Sequence, residues 1–219
     1  MQKKFNNIKI LTLDHSYYLT HISDVSGLPN LEKLSFQDCK NLITIHNSFG
    51  YLNKLEIVDA TGCRKLKSFP PLQLPSLKEL ELTGCKSLNR FPELLCKMTN
   101  IKEITIYDTS IEELPFSFGN LIELCYLTIS CVYFKILPEC LTECHLLRIL
   151  NLDYCYSLEE IRGIPPNLEE LFAYKCKSLS SSSRRMLMSQ VCCCFLLHYY
   201  LTSFIVFHIY IYIYIFDDV

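Results

Sequence analysis

The sequence predicts an α/β solenoid: short coils of chain stacked in a curved array, with a parallel β-sheet on the concave face and short helical or irregular segments outside. Three observations predict it. An apolar triplet at offsets 0, +3 and +5 recurs eight times within 219 residues. Its starts, at residues 8, 31, 55, 77, 101, 124, 147 and 168, are 21 to 24 residues apart. Leucine supplies about one residue in six, well above ordinary usage. No single coil of that length can bury its own apolar side, so the coils must bury one another.

Each element follows from the repeat. The triplets are Ile8/Leu11/Leu13, Leu31/Leu34/Phe36, Leu55/Val58/Ala60, Leu77/Leu80/Leu82, Ile101/Ile104/Ile106, Leu124/Leu127/Ile129, Leu147/Leu150/Leu152 and Leu168/Leu171/Ala173. Offsets +3 and +5 are two residues apart, so on a short strand they face the same way. The mean period, about 23 residues, lies in the window of leucine-rich repeats, and the expected architecture is their horseshoe. Offset +8 reads Ser16, Cys39, Cys63, Cys85, Thr109, Val132, Cys155 and Cys176. Here the chain turns out of the strand, and a small, weakly polar side chain can be buried while donating to a backbone carbonyl. Offset +11 is apolar in six repeats. In repeats 5 and 6 the apolar residue, Ile111 or Phe134, comes one place early, and neither repeat has Cys at +8. This paired departure predicts a locally different turn. A Leu-Pro or Phe-Pro step at Pro70, Pro92, Pro115 and Pro138 redirects the chain, because proline can neither join a ladder nor continue a helix. Segments 47–53, 93–99, 116–122 and 139–145 are expected to return across the outer face as one or two helical turns.

Composition narrows the function. Net charge is −2, and Asp217 and Asp218 are the only charges after Arg185, so residues 1–190 balance at 21 basic and 21 acidic groups. Bulk attraction to a polyanion is excluded, and nucleic acid is not an expected partner. Only six glycines are present and no G-x-x-x-x-G-K-S/T loop occurs, so no phosphate cradle or nucleotide cofactor is expected. The six histidines make no H-x-x-x-H or H-E-x-x-H pattern. Cys144 and His145 are adjacent, and neighbours one apart do not face each other on a helix. Glu112–Glu113 and Glu159–Glu160 read as solvated loop faces. With no nucleophile, general base or metal-ligand set to argue from, the expectation is a non-enzymatic protein without cofactor or metal.

The Cys-type repeat followed by x-x-Leu-x-x-(Ile/Phe/Leu)-Pro resembles the repeat region of plant TIR-NBS-LRR disease-resistance proteins. LKELELTGCKSLNRFP (Leu77–Pro92) and LNLDYCYSLEEIRGIPPNLEEL (Leu150–Leu171) carry the resemblance, and CKSLSSSSRRML (Cys176–Leu187) is similar to that family's last repeat. It covers about residues 8–190. The segment LTISCVYFKILP (Leu127–Pro138) departs from the pattern, reading like two partial repeats joined. The resemblance implies a truncated relative that recognises proteins, with a pathogen effector or host signalling domain as partner, and with roles in effector sensing and autoinhibition. A second reading is a substrate-recruiting subunit of a ubiquitin ligase, since some F-box proteins carry Cys-type repeats. Those run nearer 26 residues with an Ile-Thr-Asp step, which is absent here. A membrane-receptor ectodomain is a third. The chain has no N-x-S/T glycosylation site and no apolar signal segment after Met1, which favours a cytoplasmic or nuclear location.

The polar offsets +1, +2, +4, +6 and +7 are assigned to the concave side. They hold 12 acids and six bases, so that face is expected to be acidic. Candidate protein-binding residues are Glu79, Glu81 and Glu103, with Arg148 and an aromatic set toward the carboxyl end: Tyr107, Tyr126, Tyr154, Phe172 and Tyr174. Exposed aromatics in a concave array are candidate anchors. Cys39, Cys63, Cys85, Cys155 and Cys176 form a structural ladder of buried reduced thiols. Side chains in a ladder point in parallel, which suits the disulfide dihedral poorly, and no C-x-x-C zinc spacing occurs. Cys125 and Cys131 fall on concave offsets as candidate exposed thiols.

The organisation read from the sequence is a flank at 1–7, repeats at 8–182, a linker at 183–190 and an apolar tail at 191–219. Residues 1–7 make a poor cap, so repeat 1 is expected to expose an apolar edge. The stretch 191–216 has no formal charge with His neutral. Its length suits a bilayer span, with Arg184 and Arg185 placing the solenoid in the cytosol and Cys192–Cys194 open to lipidation. Its Ile-Tyr alternation over 209–215 has the period of a strand, which suits a folded cap. A tandem AT dinucleotide repeat read in frame also yields Ile-Tyr alternation, which makes read-through of flanking or intron DNA the third reading.

Overall fold

The structure is a computed structural model that describes residues 4–130 and 133–187 and the backbone of Ile211–Tyr212. The tail otherwise lies outside the described residues, as do Cys131, Val132 and Cys192–Cys194. Among the described residues no helix is long and apolar enough to cross a membrane.

The chain is a parallel-sheet solenoid. Eight strands, one per repeat, line the concave face: β1 (Ile10–Thr12), β3 (Lys33–Ser35), β5 (Ile57–Asp59), β6 (Glu79–Glu81), β7 (Glu103–Tyr107), β8 (Tyr126–Ser130), β10 (Ile149–Asn151) and β12 (Glu170–Phe172). All pair in parallel in that order, and β13 (Ile211–Tyr212) adds beside β12. The register sets equal offsets opposite one another: Leu34 faces Val58, Val58 faces Leu80, and Leu80 faces Ile104. Short strands on the flank, where the chain leaves the sheet, form two further parallel pairs. They are β2 (His21–Ile22) with β4 (Thr44–Ile45), and β9 (Ile136–Leu137) with β11 (Glu160–Ile161).

The core is the stack of offsets 0, +3 and +5. Leu31, Leu34, Phe36, Leu55, Val58 and Leu77 are fully buried, and so are their counterparts through repeat 7. The residue at +7 is left-handed in every described repeat: His15, Asp38, Gly62, Gly84, Asp108, Tyr154 and Lys175 have φ between 53° and 74°. That turn delivers the +8 side chain inward. A non-glycine residue there costs backbone energy, which repetition of the coil around it sustains.

The outer face is less helical than the repeat predicts. The 3-10 helices η1 (Asn47–Tyr51), η2 (Phe116–Asn120) and η3 (Glu139–Glu143) occupy three of the four expected segments. Segment 93–99 instead runs extended, with Leu94 bridged to Leu72. Its neighbour in repeat 3 reads Pro-Pro-Leu-Gln-Leu-Pro, which cannot be helical. Repeat 4 satisfies its backbone against that neighbour through Leu72 N–H to Glu93 O at 2.8 Å and Leu95 N–H to Leu72 O at 2.8 Å. Gly50 lies where a Cβ would stand 2.0 Å from the Pro71 carbonyl oxygen, so close coil contact there requires glycine.

At the other end of the stack, Ile8, Leu11, Leu13 and Leu19 are only partly buried and Ile10 is 64 % exposed. The first coil thus leaves an apolar edge, since β3 covers it on one side only.

Candidate protein-recognition face

Three rows of side chains build the concave surface. Along each strand, +2, +4 and +6 face outward between the buried +3 and +5 positions. The +2 row runs Glu79, Glu103, Tyr126, Ile149 and Glu170 through repeats 4 to 8, each opposite the next in the ladder. Glu81 and Phe172 belong to the +4 row, and Tyr107 and Tyr174 to +6.

Much of the acidity expected of this face is engaged within the protein. The +1 acids pair with +1 bases of adjacent coils: Glu32 with Lys9 and Glu56 with Lys78, both at 2.7 Å, and Glu169 with Arg148 at 3.6 Å. Arg148 is therefore partly committed. Asp14 Oδ1 accepts from Ser35 Oγ at 2.6 Å and Gln37 N–H at 2.8 Å, while Gln37 Nε2 donates to Asp59 Oδ2 at 2.7 Å. At the far end Asp153 Oδ1 accepts the Tyr174 N–H at 2.7 Å. These aspartates tie the ends of neighbouring strands together, and no count of charges distinguishes them from free ones.

Among the described residues no ion pair engages Glu79, Glu81 or Glu103. They surround one spot in repeats 4 and 5, with Asp59 beside them. Glu81 is half-buried, and its carboxyl is pushed up from the usual range by burial and then by the negative charges of Asp59 and Glu103. This is the part of the surface where an added positive charge would gain most.

The aromatic candidates form separate groups. Tyr126 sits opposite Glu103 at one edge of the sheet, whereas Tyr107 sits opposite Ser130 at the other. Each is 44 % exposed, on the longest-paired strands of the sheet. Tyr154 and Tyr174 are half-buried and pack edge to face at 5.4 Å. Lys175 lies over both rings, at 5.5 and 5.1 Å. Tyr156 extends this cluster at 6.1 Å from Tyr154. Sequence reading missed Tyr156 because +9 carries no concave signature, and missed the contact of Lys175 with Tyr154 because it crosses between neighbouring coils. Phe172 is half-buried within the sheet surface.

The cysteine ladder lies behind this face. Cys39, Cys63, Cys85, Cys155 and Cys176 are all buried. Each Sγ donates to the +5 carbonyl of the preceding coil: Leu13, Phe36, Ala60, Ile129 and Leu152, at 3.1 to 3.2 Å. Burial pushes the thiol of Cys85 up to about 12 and that of Cys63 higher still. Cys176 moves the other way, lowered first by its side-chain interaction with the neighbouring Cys155. Cys125 is half-buried, its Sγ 3.4 Å from the Glu123 carbonyl oxygen.

The chain is similar to known proteins. A family of leucine-rich repeats described as "Disease resistance protein RPS4B-like" matches residues 73–143. Disease resistance protein RML1B of Arabidopsis thaliana is 31 % identical over 198 residues, covering 80 % of this chain and 19 % of that protein. The chain is a leucine-rich repeat segment of the plant TIR-NBS-LRR disease-resistance type. TMV resistance protein N of Nicotiana glutinosa is 34 % identical over 115 residues, 52 % of this chain and 10 % of that protein. The chain thus spans less than a fifth of the length of these curated relatives. Among solved structures, the leucine-rich repeat domain of the type III effector XopL superposes with a TM-score of 0.59 at 22 % identity, covering 78 % of this chain and 70 % of that one. That likeness concerns the fold. As a leucine-rich repeat of the disease-resistance type, the chain is a protein–protein recognition module.

Proposed function

We propose that this module is non-enzymatic and recognises its partner on the concave face, as the sensing and autoinhibitory part of a plant immune receptor. The partner is a pathogen effector or a host signalling domain carrying basic side chains. The single observation that supports this most is the juxtaposition of Glu103 and Tyr126, opposite one another on a rigid parallel pair. An aromatic anchor on a concave surface, beside carboxylates that make no ion pair among the described residues, is the arrangement expected of a binding hot spot. The proposed location is the cytoplasm or nucleus, in keeping with the reduced thiols of the ladder.

Proximity labelling in plant tissue tests the reading, with the native chain compared against Tyr126→Ala and Glu103→Lys. Enrichment of an effector or a signalling domain, lost in both variants, is the expected result. Recovery of ligase subunits would support the ubiquitin-ligase reading instead.

A further inference from the structure

The near-zero balance of charge in this chain hides a separation. From Cys39 to Leu55, from Ala60 to Leu77 and from Leu82 to Pro92, where repeats 2, 3 and 4 leave the strand, there is no acidic residue. On the flank these stretches carry Lys40, Arg64, Lys65, Lys67, Lys86 and Arg90. The corresponding flank of repeats 5 and 7 carries Glu112, Glu113, Glu159 and Glu160. Two of the six bases are engaged within the protein: Lys86 meets Asp108 at 2.9 Å and Arg90 meets Glu113 at 3.5 Å. Among the described residues no ion pair engages Lys40, Arg64, Lys65 or Lys67, and all four are exposed. The carboxylate nearest to them along the chain, Asp38, lies 3.6 Å from His15 Nδ1.

These bases stand in register. Asp38 N–H donates to the Thr61 carbonyl at 2.7 Å and Gly62 N–H to the Thr83 carbonyl at 2.8 Å, which stacks the turns of repeats 2, 3 and 4. Lys40, Arg64 and Lys86, all at +9, therefore form one column with a step of about 4.8 Å per coil. Like charges opposite one another on neighbouring strands destabilise, and the core asks only that +8 and +11 face inward. Nothing in the fold calls for this column. Tyr17 heads it, with Lys40 Nζ 5.3 Å from the centre of its ring. Beside it Tyr18 is 96 % exposed and heads the +10 row, which continues through Asn41 to Lys65. Asn41 Nδ2 donates to the Tyr17 carbonyl at 2.7 Å, which ties the first two of these turns together.

We propose that this flank of repeats 1 to 3 rests on the surface of a membrane rich in anionic lipid, with Lys40, Arg64, Lys65 and Lys67 among the headgroups and Tyr18 at the interface. Clustered bases are drawn to such a surface, the planar guanidinium of Arg64 suits a phosphate, and tyrosine has an apolar body and a polar tip that favour the boundary between lipid and water. An extended peptide fits the patch less well, because strand addition needs an open edge. The turns offer none: Lys40 N–H donates to the Asp38 carbonyl at 2.7 Å, Arg64 N–H to Gly62 at 2.9 Å and Lys67 N–H to Ile43 at 3.1 Å. The net neutrality of residues 1–190 does not oppose the contact, since the field of the lipid surface reaches only the charges within a Debye length of it. The contact goes beyond recognition on the concave face. It uses none of the residues assigned to that face and leaves its strands free for a protein partner.

The test is co-sedimentation of the full chain with vesicles of phosphatidylcholine containing about 30 mol % phosphatidylserine, against vesicles of phosphatidylcholine alone. Binding is expected to the anionic vesicles only, and to fall at least about tenfold when salt is raised from about 0.1 to 0.5 M. Arg64→Ala, Lys65→Ala and Lys67→Ala combined should weaken it at least about tenfold. Lys97→Ala, Lys135→Ala and Arg162→Ala combined change the net charge equally and should leave it within about twofold, since these bases lie outside the patch. Equal binding to neutral vesicles, indifference to the first triple substitution, or equal loss in both triple variants overturns the proposal. So does binding of a labelled polyglutamate peptide, followed by fluorescence anisotropy, without binding of anionic vesicles, which would assign the patch to an acidic protein segment. The first triple substitution removes exposed, mutually repelling charges, so its melting temperature is expected to be no lower than that of the native chain.

Discussion

The thiol of Cys63 donates to the carbonyl of Phe36 at 3.1 Å, linking residues 27 apart in sequence and adjacent in space. Both groups are shut away from water. Repeated at four other coils, this bond explains why cysteine recurs at one position: an apolar side chain there would leave a buried carbonyl short of a partner.

Replacing Cys63 with Ala should therefore destabilise the chain by about 1–2 kcal/mol, the sum of a small cavity and a lost donor. Cys63→Ser retains the donor and should cost less. Urea unfolding followed by circular dichroism measures the difference, and an equal loss for both would show that volume alone matters.

Thiol reactivity should divide by burial. At mildly alkaline pH, iodoacetamide followed by peptide mapping should label Cys125 and Cys96 in the native protein. Cys39, Cys63 and Cys85 should be labelled only after denaturation, since burial disfavours the reactive thiolate. Rapid native labelling of Cys85 would mean that the coils open readily.

Glu81 should weaken the fold as pH rises. Its carboxyl titrates above its value in the unfolded chain, so the folded state holds the proton more firmly. Stability is then highest with the group protonated and falls as pH climbs from about 4.5 through the raised folded value. Glu81→Gln removes that penalty. Its melting temperature should exceed the native one at pH 7, by no more than about 2 °C for a half-exposed group, and the gap should close toward pH 4. A constant gap across that range would point to packing rather than charge.

The two left-handed glycines should differ in tolerance. Gly62 and Gly84 share a φ of +74°, so alanine costs each about 1 kcal/mol in backbone energy. At Gly62 the new Cβ would also stand 2.5 Å from Asp38 Oδ1, whereas at Gly84 its nearest neighbour is 3.5 Å away. Gly62→Ala should be the more destabilising in thermal melts, and Asp38→Ala in the same chain should recover the excess. If it does not, the left-handed turn accounts for the whole effect.

The open first coil should drive self-association. With Ile8 and Leu11 only partly covered, the chain cut after residue 190 is expected to run as soluble aggregates in size-exclusion chromatography with light scattering. A monodisperse monomer that melts cooperatively would be the contrary result.

Periodicity carried most of the fold because each coil repeats the same physical problem. The positions of the buried triplets, the inward thiols and the strand face all follow from alternation on a short strand and from the impossibility of burying one coil alone. The early apolar residues Ile111 and Phe134 still reach the core, both being buried at 1 % exposure, so the core runs on through the two repeats that lack cysteine. Segment 93–99 was misread because its extended course is imposed by the prolines of the preceding coil.

Local pattern alone thus determined that the chain forms a stack of eight coils with a parallel inner sheet and the thiols within. Tertiary structure decided which charges are spent. Asp14, Asp153 and Arg148 are drawn into contacts between coils, while Glu79, Glu81 and Glu103 have no ion pair among the described residues. The reason is distance. A side chain's partner in a solenoid lies one coil away, some 21 to 27 residues along the chain, and only the register of stacking brings the two together.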